Sequence, residues 1–302
     1  MFPTSETQDL QVTLHHAVYP GVDLNHHFKT HSYKNKVVLI SGAAGRLGRT
    51  TALFYARCGA SLSLLSNSIQ QLSGLKSIIL EVVPGANVAT FKTDVRVVRQ
   101  VQAAIEGTAA LFGRLDMCLA LSSLEPLANL QSPIAEPDPY AWWDVLETNV
   151  RGVYNVAHFS MPYLEQNQGY FLMMSSPFAA QLFPAACPFS VSRDALSRMN
   201  EYIAQNHPKI KSFTVSPGFL PEDNMEYSVQ TGSRDSIDEA ELSAATIIRL
   251  TSGKDDWLTG RFVSSNWDLD ELELAWKDLV LKQDALVHRL LLPVRPPIGS
   301  KK

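Results

Sequence analysis

The stretch VVLISGAAGRLGRTTALFYA, Val37 to Ala56, joins an uninterrupted apolar run to a helix-patterned segment through Gly42, Gly45 and Gly48. Glycines at such a junction permit a tight turn, close approach of backbone to a pyrophosphate, and packing of the helix against the strand it follows. The helix N-terminus, opened by Arg46, Leu47 and Gly48, would turn its free N–H groups towards the phosphates. Read this way, the stretch is a dinucleotide-binding loop at the first turn of a βαβ unit. Ser66 and Asn67 stand at the end of the next strand, where NAD-specific sites carry an acid for the ribose hydroxyls, so NADP is expected. Arg46 and Arg49 are placed to meet a 2′-phosphate or to be solvated surface charges. Asp94 and Val95, after the third strand, are expected beside the adenine, with helix capping the alternative for Asp94.

Working outward from that loop, short apolar runs alternate with helical segments: KVVLIS (36–41), SLSLL (61–65), NVATFK (87–92), LDMCLAL (115–121), GYFLMMS (169–175), KSFTVS (211–216) and RFVSS (261–265). Near-continuous apolar strands alternating with helices predict a parallel sheet covered on both faces. The fold class expected is therefore α/β, a doubly wound, Rossmann-like sheet forming a single domain over 36–270. Residues 1–35 carry five of the eight histidines and little hydrophobic periodicity, and are expected to form an arm on the domain surface. A metal site is the alternative there, but adjacent His pairs without Cys match no standard ligand spacing, so no metal is assigned. Residues 271–302 should hold a last amphipathic helix, over about 270–287, and a tail. The polar stretch 220–238 reads as one long loop, of the kind that often serves as a lid.

Composition narrows the function classes. A formal charge of −4 and a pI near 6.1 come without a long run of Lys or Arg, which argues against nucleic acid and anionic membrane as partners. Cys58, Cys118 and Cys187 form no ligand spacing and fit small core residues in a reducing compartment. The N-terminus lacks the pattern of a secretory signal, the last residues IGSKK carry no targeting motif, and no apolar run reaches membrane-spanning length, so a cytoplasmic protein is expected.

The chain resembles the short-chain dehydrogenase/reductase superfamily from about Lys36 to Asp270. More narrowly it is similar to a fungal branch linked to secondary metabolism, through Tyr19-Pro-Gly-Val-Asp23 in the arm, through Trp142, Trp143, Asn149, Val150 and Gly152, and through the closing GRFVSSNWDLDEL from Gly260 to Leu272. The resemblance implies a doubly wound sheet, NAD(P), an active-site Ser, Tyr, Lys and Asn, and a homodimer or larger assembly. Carried over residue by residue, Asn149 falls on the active-site Asn and Ser176 on the active-site Ser, thirteen positions before Phe189. Pro217 and Gly218, in VSPGF, fall in the loop beside the nicotinamide. The departures concentrate at one place: Phe189 stands where the family has Tyr, and Arg193 where it has Lys. The glycine spacing differs from TGxxxGxG, and ALSS (120–123) replaces NNAG.

Phe189 has no exchangeable proton, and loss of a positioned acid costs about 10²–10⁴ in rate, so ordinary ketone or alcohol redox should be crippled. Arg193 still bonds a ribose or phosphate but does not reproduce a lysine. Ser176 remains a donor and Asn149 a holder of water, an oxyanion-stabilising remnant. Three readings stay open. The favoured one is a non-redox step on a natural-product intermediate, cyclisation, isomerisation or elimination, in a pocket lined by Phe189, Trp143, Met225 and Tyr227; orientation alone supplies several kcal/mol there. The others are NADPH reduction of an iminium, which needs no proton donor and in which the Phe189 ring could favour the cation, and a catalytically silent partner subunit. Glu125, Asp194 and Asp223 are weaker acid–base candidates, Cys187 lacks a base, and His158 is expected to be a packed helical residue.

Overall fold

A computed structural model describes residues 10–124, 134, 138–179, 187–220 and 238–290. Its centre is a seven-stranded parallel sheet: β1 (Val37–Ser41), β2 (Ser61–Ser66), β3 (Val88–Lys92), β4 (Met117–Ala120), β5 (Tyr170–Met174), β6 (Lys211–Ser216) and β7 (Arg261–Ser264), in the order β3-β2-β1-β4-β5-β6-β7. Every residue of β1 is buried, as a central parallel strand covered on both faces requires. Each of the seven apolar runs in the sequence forms a strand.

One face is covered by α2 (Arg46–Arg57), α3 (Ile69–Val82) and α8 (Ala240–Leu250), which share a core with Val38, Ile40, Leu62 and Leu172. The other carries α4 (Val98–Phe112), α6 (Val153–Asn167) and α7 (Cys187–Asn206), packed on Leu39, Cys118, Phe171 and Met173. Between α5 (Pro139–Leu146) and α6 the helix widens into a π turn over Glu147–Gly152. The strand order reverses between β1 and β4, so the crevice beyond their carboxyl ends is where a doubly wound sheet binds its ligand.

The N-terminal arm departs from the surface position expected of it. A short helix, α1 (Asn25–Thr30), follows a 3₁₀ turn, and Tyr19, Val22, Leu24 and Tyr33 are buried in the same core as the sheet. Irregular spacing hid these residues: Val22 and Leu24 pack as single apolar side chains, and the two tyrosines add hydrogen bonds. The Tyr33 hydroxyl donates to the carbonyl of Ile248 at 2.7 Å, and the Tyr19 hydroxyl accepts from the Leu269 N–H at 2.9 Å. The buried Arg249 guanidinium forks onto Asp255 (2.8 and 3.2 Å) and reaches Gly21 O at 2.9 Å and Asp270 at 2.8 Å, tying α8 to both ends of the chain. The arm signature Tyr19–Asp23 therefore docks on the part of the closing signature that follows β7, through Tyr19 bonded to Trp267 and Leu269.

The C-terminal helix is shorter than expected and interrupted. It runs as α9 (Leu269–Glu271), a π turn over Leu272–Trp276, and α10 (Lys277–Gln283), burying Leu269, Leu272 and Val280 on the domain. Among the described residues no helix is long and apolar enough to cross a membrane, and no three His, Cys, Asp or Glu side chains gather to hold a metal ion. Cys58 and Cys118 are buried in the core, where desolvation pushes their thiols up to about 12.

Candidate functional site

The glycine loop forms as its residues dictate. Gly42 has φ +71°, and a Cβ there would lie 2.6 Å from the Ser122 nitrogen, beside the loop that follows β4. A Cβ on Gly48 would lie 2.3 Å from the Gly42 carbonyl oxygen, so only glycine lets α2 pack this closely on the turn. Gly45 is the N-cap of α2 and supplies no side-chain cap, while a Cβ there would meet nothing nearer than 3.5 Å. The first turn of α2 is thus left open to an anion, with Arg46 exposed at its first position. These residues fit a dinucleotide pyrophosphate. Arg46 occupies the place of the middle glycine in TGxxxGxG, and a cation there complements phosphate.

Around the loop, the other expected contacts differ in how free they are. The Ser66 hydroxyl closes β2 by accepting from the Ser68 N–H at 3.2 Å. Asp94 is engaged by Arg96, whose guanidinium bonds hold its carboxyl below the ordinary range. It does not cap the next helix, whose N-cap is Val97. Val95 is buried, in line with Gly152, where a Cβ would strike its side chain at 2.6 Å.

The residues expected to do chemistry converge on the carboxyl ends of β4 and β5. Phe189, Ser192, Arg193 and Leu196 recur at i, i+3, i+4 and i+7 on α7, so all four face inward and all four are buried. Arg193, only 2% exposed, donates through Nη1 to the Met174 carbonyl at 2.9 Å and through Nη2 to the Ser123 hydroxyl. Its guanidinium lies 4.5 Å from the centroid of the Phe189 ring. The cation therefore bridges the ends of β4 and β5 and covers the aromatic face that the sequence reading offered to a cationic substrate.

Asn149, in the π turn, is fully buried and more committed than expected. Its Oδ1 accepts from the Leu124 N–H at 2.8 Å, and its Nδ2 donates to the Leu124 carbonyl at 3.0 Å and to the Ser192 hydroxyl at 3.1 Å. Both amide protons are spent on protein, so its water-holding role shrinks to the remaining Oδ1 lone pair. Ser192 passes the connection on, donating to the Phe189 carbonyl at 2.6 Å. Ser176, after β5, is 8% exposed at the same edge of the sheet. Pro217 and Gly218 follow β6, Gly218 with φ +76°. Trp143 is largely exposed, whereas Glu125, Asp223, Met225 and Tyr227 lie outside the described residues. Asp194 is paired with His288 on the surface, and His158, expected to be packed, is exposed beside Tyr154. Sequence reasoning missed Ser123, Leu124 and Met174 as partners; two of those contacts use backbone atoms and carry no residue-type signal.

The family model for short chain dehydrogenase matches residues 36–231. The chain belongs to the short-chain dehydrogenase family. It is similar to the short chain dehydrogenase pigC of Monascus ruber, 30% identical over 92% of each chain. It is also similar to the short chain dehydrogenase citE of the same fungus, 29% identical over 85% of this chain and 89% of that one. Among solved structures, levodione reductase superposes with a TM-score of 0.71 at 22% identity, covering 81% of this chain and all of the other, which attests the fold. Short-chain dehydrogenases bind NAD(P). Here the glycine loop leads into α2, and Phe189 and Arg193 stand one turn apart on α7.

Proposed function

We propose that this short-chain dehydrogenase-fold protein is an enzyme of fungal secondary metabolism that catalyses a non-redox step, cyclisation, isomerisation or elimination, on a natural-product intermediate. The observation that carries the reading is the buried pair Phe189 and Arg193. The ring has no proton to give, and the guanidinium is held by Met174 O and Ser123. Binding and orienting a reactive intermediate requires neither group to move a proton. The protein's part would be to shape the pocket, to exclude water with α7 and the π turn, and to offer the Ser176 hydroxyl as a donor. If a dinucleotide sits against Gly45 and α2, its expected form is NADP, since no acid stands at the end of β2, and its expected role is structural. Bound and used, it would supply hydride.

That last clause is the second reading, NADPH reduction of an iminium, and the well-formed glycine loop favours it. The fixed charge of Arg193 over Phe189 weighs the other way, because a cationic substrate would meet a buried cation. The expected partners are otherwise a second copy of the chain and no nucleic acid. Exposed Tyr154, Val191 and Tyr202 on α6 and α7, the helices that pair in relatives, support a homodimer.

The test is a fluorescence titration with NADPH followed by turnover of candidate intermediates with NADPH deuterated at the hydride position. The proposal expects product without deuterium. Deuterium in product, or reduction of simple ketones by the unaltered chain at ordinary rates, overturns it; activity of the isolated chain rejects the silent-subunit reading.

A further inference from the structure

Asp238 is 3% exposed and stands two residues before α8. Its carboxylate takes three donors. Oδ2 accepts the Phe219 N–H at 2.5 Å, and Oδ1 accepts Nδ1 of His16 at 2.6 Å and Nδ2 of Asn266 at 2.7 Å. The Asp238 N–H in turn donates to the Phe219 carbonyl at 2.9 Å. Gly218 packs directly on this carboxylate, since a Cβ there would lie 2.3 Å from Oδ2 and 2.8 Å from Asn266. The turn Pro217-Gly218-Phe219 is thereby fixed from one side by a single buried group.

The arm closes the arrangement from the other side. The Glu239 N–H donates to the His16 carbonyl at 3.0 Å, the His15 N–H to the Asn266 carbonyl at 2.7 Å, and Asn266 Nδ2 to the His15 carbonyl at 2.8 Å. The His15 ring stacks on Tyr19 at 3.8 Å and bonds Asp268 at 2.9 Å. Residue 15 is thus held by the backbone after β7 and residue 16 by Glu239, and among the described residues His16 is the arm side chain that reaches the carboxylate beneath Gly218. The matched family region, 36–231, contains the Pro217–Phe219 turn but neither His16 nor Asp238.

We propose that His16 and Asp238 are positioning residues: the arm fixes the Pro217–Phe219 turn, and through it the ligand-facing edge of β6. This rests on the reading above only in taking that edge to face the ligand. A buried carboxylate with three charge-assisted bonds holds its donors rigidly, and loss of one donor loosens the turn locally.

Hydrogen exchange followed by mass spectrometry on the full chain, without ligand, reads the clasp directly. His16→Ala should raise exchange at the Gly218 and Phe219 amides about tenfold, the effect of losing one such bond, while the amides of β1 and β5 hold their protection. His16→Asn, which keeps a donor near the position of Nδ1, should restore it. An NADPH titration of the same three proteins should show affinity falling about tenfold in His16→Ala and recovering in His16→Asn. Unchanged exchange at Gly218 and Phe219, exchange raised throughout the sheet, or faster local exchange with unaltered NADPH affinity would each overturn the proposal. A wild type blind to NADPH overturns the cofactor reading, and the clasp is then decided by the exchange pattern of the three proteins.

Discussion

Changing Arg193 to lysine, the residue the family resemblance places there, asks whether the guanidinium is a strut or a spare catalytic cation. The structure gives the strut reading a magnitude. A lysine ammonium can keep one of the two bonds to Met174 O and Ser123, not both, and loss of a hydrogen bond to a charged group costs about 1.5–3 kcal/mol. The cation stacked on the Phe189 ring contributes about 0.5–2 kcal/mol when desolvated. Arg193→Lys should therefore destabilise the fold by roughly 2–5 kcal/mol. At about 2.1 cal/mol/K per residue, a chain of this length unfolds with an entropy near 0.6 kcal/mol/K, so Tm should fall by about 3–8 °C. Differential scanning calorimetry measures it. A shift below about 1 °C would show that the guanidinium bears no structural load and refute the reasoning.

Three further outcomes follow from particular contacts. Arg249→Leu leaves the Asp255 carboxylate buried without its cation and should cost about 3–5 kcal/mol in urea denaturation, whereas a loss under 1 kcal/mol would mean that the carboxylate simply takes up a proton. Gly48→Ala drives a Cβ to 2.3 Å from the Gly42 carbonyl; it should shift α2 away from the turn and weaken NADPH binding at least tenfold, and an unaltered titration contradicts the packing argument. Asp94 has its folded pKa lowered by Arg96, so it contributes stability that is fully present above its unfolded value of 3.8 and is lost as pH falls through the folded value. Stability curves measured from pH 6 to pH 2 should therefore be flatter in Asp94→Asn, with the two proteins converging at the acid end.

How much of this was legible depends on whether a signal is periodic. The sheet was, because strands buried on both faces are near-continuously apolar, and Val37–Ile40 and Phe171–Met174 read as unbroken runs, while β2 and β6 interpose the small buried Ser63 and Ser212. The glycine loop was legible because backbone crowding at Gly42 and Gly48 excludes every other residue. The π turn at Asn149 was not, since widening a helix by one residue needs no particular composition. The arm was missed for a related reason: Tyr19, Val22, Leu24 and Tyr33 enter the core without helical or strand spacing, the two tyrosines also bonded to Leu269 and Ile248. At the site, Phe189 and Arg193 were singled out through the family resemblance, and their mutual stacking was legible only through the i, i+4 spacing.

The same spacing bears on the proposal that Phe189 and Arg193 stand in place of a proton relay. The glycine loop belongs to β1 and α2 and is fixed by backbone contacts, whereas Phe189 and Arg193 are two side chains on one face of α7, so one can change without disturbing the other. Phe189→Tyr alone would put a hydroxyl beside a guanidinium already bonded to Met174 O and Ser123. That cation would favour the phenolate, as a lysine does, but it would remain tied to the strand ends instead of reaching a ribose. Arg193→Lys alone frees the strand ends and leaves a ring that cannot ionise. The two substitutions touch, and residues in contact couple. Carbonyl reduction should therefore emerge in the double variant to a degree that neither single change foreshadows, and additive rates would mean that the pair is not the element that silenced the relay.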